Sequence, residues 1–270
     1  MPRFAANLSL LFANLPFPER FGAARTAGFE AVECQFPYAW EAEAIAAQLR
    51  QHHLQMVLHN LPGGDTAAGE RGIACIPGRE AEFRASVAQG IYYAQTLGCP
   101  QLNCLPGILP HGVPAADARA CLIENLRHAA AETAGAGLRL LTEPINHHDV
   151  PGFFLNTMVQ GADLLDAVGS PNLYLQYDLY HAQRMTGELA ATAQRHLARI
   201  AHIQIADNPG RHEPGTGEIH HDFLFRHLDA IGYTGWIGCE YVPLGDTLQG
   251  LGWMRPWAVQ AVPGTPTGTP

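Results

Sequence analysis

Leu140-Leu141-Thr142-Glu143-Pro144-Ile145-Asn146 carries the plainest structural signal in the chain. An apolar run follows Gly135 and Gly137, reaches a carboxylate, and is stopped at once by a proline. That pattern predicts a short, fully buried strand. Proline has no N–H to give a central ladder, so Glu143 belongs at the strand's C-terminal end. Three later segments repeat the arrangement. Leu173–Tyr177 runs into Asp178, Ile200–Ile203 into Gln204, and Trp236–Cys239 into Glu240. Four oxygen-bearing side chains closing four apolar strands make a poor core and a good metal site.

Upstream, the same grammar predicts strands at Arg3–Leu8, Ala31–Cys34, Gln55–Leu58 (ending on His59 and Asn60) and Gln101–Leu105. Helical spacing lies between them. Phe17, Phe21 and Ala24 share a face that stops at Gly28, and an Ala- and Glu-rich helix runs from about Trp40 to His52. Phe83, Val87, Ile91, Ala94 and Leu97 hold a face until Gly98, and Leu122, Leu126, Ala130 and Thr133 hold another. Further helices are expected before Gly169, over Glu188–Arg199, over Phe223–Ile231 and at Leu248–Trp257. Eight strands alternating with seven or eight helices mean βα units and a parallel sheet, which fits a single α/β domain, a (β/α)8 TIM barrel, over residues 1–260. A doubly wound open sheet is the runner-up, but no G-x-G-x-x-G follows the first strand. Residues 261–270 read as a disordered tail.

At 270 residues, 47% hydrophobic and 15% charged, the chain can bury a sizeable core. Its net charge of −9 argues against a nucleic-acid partner. Six scattered cysteines without a C-x-x-C read as buried, reduced thiols. No signal peptide or membrane-length apolar run stands out, so a cytoplasmic protein without a membrane partner is expected, and a homo-oligomer is left open.

In a TIM barrel the C-terminal strand ends converge on one face. Glu143, Asp178, Gln204 and Glu240, 35, 26 and 36 positions apart, would close strands five to eight and share a pocket. Three carboxylates and an amide offer only oxygen, which suits a hard divalent cation, Mg²⁺ or Mn²⁺. Without a cation the carboxylates would repel and raise one another's pKa values. The competing account makes each one a helix cap or loop salt bridge, and it needs four coincidences. His181 could reach the same mouth, though an idle loop histidine competes with that reading. His59, Asn60 and Asn103 sit at strand ends and could bond a substrate. The glycine-rich Leu61–Arg79 segment is long enough to be a lid. Among the loop arginines Arg71, Arg79 and Arg211, Arg71 is favoured to fork onto a substrate carboxylate.

Several segments resemble the hydroxypyruvate isomerase family of the xylose-isomerase-like TIM-barrel superfamily, from Arg3 to about Trp257. They are Phe4–Ser9, Leu58–Pro62, Ala68–Arg79, Glu143–Asn146, Gln176–Asp178, His202–Asp207 and Gly238–Tyr241. The resemblance implies that Glu143, Asp178, Gln204 and Glu240 hold the metal, with Glu143 and Glu240 as the paired acid and base. Related sugar epimerases carry histidine as the third ligand, and Gln204 looks like the isomerase branch. Those epimerases also have an arginine soon after that ligand, and Arg211 lies near its place. The implied reaction on a small 2-oxo or hydroxy acid interconverts hydroxypyruvate and 2-hydroxy-3-oxopropanoate (tartronate semialdehyde) through an enediolate. Alternatives are a 2-oxo-tetronate isomerase or related sugar epimerase and, further off, an apurinic-endonuclease-like hydrolase or a non-catalytic metal-binding barrel.

Overall fold

The computed structural model describes residues 1–257. Eight parallel strands close on themselves in sequence order: β1 (Arg3–Asn7), β2 (Ala31–Cys34), β3 (Gln55–Asn60), β4 (Gln101–Cys104), β5 (Arg139–Thr142), β6 (Leu173–Asp178), β7 (Ile200–Ile205) and β8 (Trp236–Cys239), which pairs back onto β1. The helices α1 (Phe17–Thr26), α2 (Ala42–Gln51), α3 (Glu80–Leu97), α4 (Ala115–Gly135), α5 (Met158–Val168), α7 (Leu189–His196) and α8 (His221–Ala230) fall between strands. The expected barrel is therefore present. Closure explains why the strands are only four to six residues long and yet buried on both faces. α3 stops where the sequence says it should, because Gly98 takes the left-handed conformation at φ 65°.

Three local expectations change. Asp178 starts a short extra helix, α6 (Leu179–Met185), by accepting a hydrogen bond from Tyr180 N at 2.8 Å, so His181 is helical and buried rather than in a loop. The expected Leu248–Trp257 helix breaks into α9 (Thr247–Gly250) and a 3₁₀ stretch, Leu251–Trp257, that contains Pro256. The Leu61–Arg79 segment is mostly wall rather than lid. Gly72–Cys75 is buried, and Cys75 N donates to Pro106 O (2.8 Å) while Asn125 Nδ2 donates to Ala74 O (2.9 Å). The exposed residues of the segment are Asp65–Gly69, Arg71, Pro77 and Gly78, and Glu70 pairs with Arg79. Residues 258–270, which include the expected tail, lie outside the described residues. Among those described, no helix is long and apolar enough to cross a membrane, and all six cysteines are free thiols.

The main apolar core lies between strands and helices. Inside the barrel the lower half is filled by small apolar sets, Ala5, Ala31 and Val57, then Leu58, Leu141 and Ala201. Two register shifts set what comes above. Between Val32 and Glu33 the β3 partner jumps from Met56 to Leu58, leaving Val57 as an extra residue. Between Leu175 and Gln176 the β7 partner jumps from Ile200 to His202, leaving Ala201 extra. Strict alternation from Gln55 would aim His59 inward. The inserted residue instead turns Asn60 inward and His59 outward, where its Nδ1 lies 3.2 Å from the Tyr38 hydroxyl and Tyr38 packs on Tyr93 of α3. The expected substrate contact through His59 is thus replaced by a place in the outer core, because a strand's side-chain parity flips after a bulge.

Burial pushes the His59 pKa down to about 4. The unfolded chain binds that proton near pH 6.5 and the folded chain only near 4, so stability from the neutral ring is full above about 6.5 and falls as pH drops between those values. The loss reaches about 3 kcal/mol. In His59→Gln, melting temperature measured against pH should fall less steeply from pH 6.5 to 4 than in the parent chain; an unchanged slope would exclude His59 as its source.

Candidate active site

Each member of the mouth is delivered by a strand end. Asp178 pairs with Gln204 in register, and Gln204 with Gly238, while Glu143 and Glu240 each follow the last residue of β5 and β8. Ligand atoms of Glu143, Asp178, His181 and Glu240 all lie within 4.8 Å of one another, and all four residues are buried. Three strand-end carboxylates that the sequence singles out therefore meet in one place.

Each glutamate is gripped on one oxygen by side-chain amides, which leaves the other oxygen to the centre. Glu143 Oε2 accepts from Asn103 Nδ2 (3.0 Å), itself also bonded to Asn60 Oδ1 (3.1 Å). Glu240 Oε1 accepts from Gln35 Nε2 (2.9 Å) and Asn7 Nδ2 (3.2 Å), while Oε2 accepts from Arg211 Nη2 (2.8 Å). Asp178 spends Oδ1 on capping α6, and its buried Oδ2 finds no hydrogen-bond partner among the described residues.

His181 has a defined tautomer. The backbone N–H of Asp149 donates to Asn146 Oδ1 (2.9 Å), which turns the Asn146 amide nitrogen toward His181 Nδ1 at 2.7 Å. With Nδ1 accepting, the neutral ring carries its proton on Nε2, 3.5 Å from Asp178 Oδ2 and 3.9 Å from Glu143 Oε1. Burial and the nearby Arg211 charge hold the His181 pKa well below the ordinary value, so the ring is neutral.

Arg211 comes from the loop after β7. Asp207 staples that loop, its carboxylate accepting from the backbone N–H groups of Asn208 (2.9 Å), Gly215 (2.9 Å), Gly217 (2.9 Å) and Ile219 (3.0 Å). The guanidinium lies 5.2 Å from the centroid of the Tyr180 ring. Burial acts to lower the Arg211 pKa, but Glu240, Asp178 and Glu143 more than offset it.

The electrostatics follow from crowding. Burial, then Glu240 and Asp178, push the Glu143 pKa well up. Burial raises Asp178 despite Arg211, and burial raises Glu240 to about 7, again against Arg211. Three acids so close cannot all ionise cheaply near neutral pH without a cation.

The other sequence candidates are placed differently. Gln204 lies just beneath the cluster, its Nε2 donating to Glu33 Oε1 (2.7 Å) and its Oε1 accepting from Gln176 Nε2 (2.5 Å). Arg71 is exposed, and its guanidinium bonds Glu70 O (2.8 Å) and Thr66 O (3.4 Å) of its own loop; the arginine beside the carboxylates is Arg211. Arg79 is tied to Glu70 and Glu82. Sequence reasoning placed Asn7 toward the open end of the first strand but missed Glu33, Gln35 and His202. A glutamate inside Ala31-Val32-Glu33-Cys34 was a signal, since a carboxylate within a buried strand requires partners.

The donor set fits a hard divalent cation. Carboxylate oxygens from three elements converge, one is an orphaned buried atom, and their mutual repulsion would be relieved by positive charge. Glu143, Asp178 and Glu240 could hold such an ion, with Gln204 Oε1 completing the set.

A family model described as xylose isomerase-like TIM barrel matches residues 21–257. The chain is 51% identical over 257 residues to the hydroxypyruvate isomerase of Escherichia coli K12, covering 95% of this chain and 100% of that one. It is 45% identical to the 2-oxo-tetronate isomerase of Cupriavidus necator, covering 95% and 99%. A crystal structure of a Brucella melitensis protein described as AP endonuclease, family 2, is 46% identical and superposes with a TM-score of 0.93 over 95% of this chain and 99% of that chain. These relationships make the chain an enzyme of the isomerase class that belongs to the xylose isomerase-like TIM barrel family, in its hydroxypyruvate isomerase branch.

Proposed function

We propose that the chain interconverts hydroxypyruvate and 2-hydroxy-3-oxopropanoate, with Glu143 and Glu240 as the acid–base pair. The observation that carries this reading is the pair itself: two buried glutamates whose carboxylates meet within 4.8 Å, both with pKa values raised by burial and crowding. Two such carboxyl groups facing one pocket can act as base and acid in turn. One glutamate removes a proton from C3 of hydroxypyruvate, and the electron pair moves through C2 onto the carbonyl oxygen, giving an enediolate. The other returns a proton to C2. The O3 hydroxyl proton passes to O2 as the aldehyde forms at C3, so the overall change moves one hydrogen from C3 to C2 and one from O3 to O2.

His181 supports the reading through its Nε2–H, a neutral donor for the oxygen where charge develops. Arg211 supplies a fixed cation for the substrate carboxylate. Asn103, Asn7 and Gln35 hold the glutamates in reach. A divalent ion, Mg²⁺ or Mn²⁺, held by Glu143, Asp178, Gln204 and Glu240 would supply Lewis-acid polarisation of the carbonyl. A second substrate, 2-oxo-tetronate, shares the same reacting atoms, and the 45% identical relative from Cupriavidus necator favours keeping it in the test.

Proton NMR in D₂O with hydroxypyruvate and with 2-oxo-tetronate tests the chemistry: solvent deuterium should enter the carbon-bound positions of the preferred acid. Glu143→Gln and Glu240→Gln should each lose about 10²–10⁴-fold of that exchange. A variant that keeps more than a tenth of it would remove that glutamate from the reaction, and nicking of an abasic duplex without exchange would replace the isomerase reading.

Mg²⁺ or Mn²⁺ should raise the melting temperature of EDTA-treated protein and restore its activity. In Asp178→Asn the thermal shift on adding the ion should shrink or vanish, because the orphaned oxygen loses its charge. An equal shift in that variant would place the ion elsewhere.

A further inference from the structure

Beneath the carboxylate cluster lies a second buried polar group. Glu33, 1% exposed, reaches across the barrel from β2. Its Oε2 lies 2.6 Å from His202 Nε2, and its Oε1 accepts from Gln204 Nε2 (2.7 Å) and Asn7 Nδ2 (2.9 Å). The barrel is shaped to admit it. Glycine stands at 238 on β8, where a Cβ would fall 2.3 Å from Glu33 Oε2. TIM-barrel interiors are usually filled by branched aliphatic residues, so a carboxylate here needs a reason.

We infer that Glu33 is a positioning residue that fixes which way the Gln204 amide points. Glu33 Oε1 already accepts from two amide nitrogens, so it is an acceptor there and the Gln204 amide must present nitrogen to it. For Gln204 this turns Oε1 away from Glu33, as a ligand oxygen requires; a flipped amide would set oxygen against oxygen with no proton between. The other neighbour of Gln204 cannot enforce the choice, because Gln176 carries both donor and acceptor and its own Oε1 is left without a partner among the described residues. Asn7 is oriented independently, because Ser9 N donates to its Oδ1 (3.0 Å) and so turns Nδ2 toward Glu33 and Glu240. One carboxylate thereby orients a ligand from β7.

This inference rests on the proposed ligand role of Gln204, and the test separates the two. Mn²⁺ alone is titrated into metal-stripped protein, without substrate, and free ion is read by electron paramagnetic resonance. Glu33→Gln introduces a donor that lets the Gln204 amide flip, and Mn²⁺ affinity should fall about 10–100-fold, the usual effect of losing an outer-shell partner. The exchanged pair Glu33→Gln with Gln204→Glu keeps the charge count and restores one donor facing one acceptor. It presents oxygen in either orientation and should bind Mn²⁺ within a few-fold of the parent chain. Unchanged affinity in Glu33→Gln, or no recovery in the exchanged pair, overturns the inference while leaving metal binding intact. A parent chain that binds no Mn²⁺ overturns the ligand reading and the inference with it. A purely structural role would lower the melting temperature of Glu33→Gln without moving its Mn²⁺ affinity, and that result also overturns it. Should Glu33→Gln not fold, the exchanged pair alone decides: weak Mn²⁺ binding there counts against the orienting role.

Discussion

Repulsion between buried carboxylates is the constraint around which the upper half of this barrel is organised. Glu143, Asp178 and Glu240 sit within 4.8 Å of one another, out of water that would screen them, with Glu33 just below. In such surroundings an unpaired charge is expensive, so every oxygen not aimed at the centre has a donor. Asn103 serves Glu143, Gln35 and Asn7 serve Glu240, the start of α6 serves Asp178, and Asn7 and Gln204 serve Glu33. Arg211 provides the one cation in contact with Glu240 among the described residues. The raised acid pKa values measure the strain that remains, and that strain is what an acid–base pair or a bound cation can use.

Polar filling of the barrel removes apolar contact that a conventional interior would supply, and the structure compensates elsewhere. The principal core lies outside the strands, where α1 to α5, α7 and α8 press apolar faces onto the sheet. Below the polar layer, Ala5, Ala31, Val57, Leu58, Leu141 and Ala201 close the interior with small and medium side chains. The machinery and the stability of the fold are therefore carried by different layers.

The loops divide their labour in a comparable way. The loop after β7, stapled by Asp207, brings Arg211 over the carboxylates, and Tyr180 lies under its guanidinium. The loop after β3 is anchored along Gly72–Cys75 and is exposed on either side of that stretch, at Asp65–Gly69 with Arg71 and at Pro77–Gly78.

Strand–helix alternation, the glycine stops and the strand-end positions of Glu143, Asp178, Gln204 and Glu240 were legible in the chain, because each depends on neighbours within one βα unit. The direction in which a side chain points was less legible. One extra residue at Val57 turns His59 out and Asn60 in, and one at Ala201 lets both His202 and Gln204 face the interior. Such insertions are defined only against the partner strand, and nothing local announces them. The choice of Arg211 over Arg71, the burial of His181 on α6 and the reach of Glu33 across to β7 likewise depend on residues 29 to 171 positions apart. Sequence by itself determined the barrel and the rim that bears the acids, whereas barrel closure decided which groups face one another, since contacts between opposite strands exist only once the ring is shut.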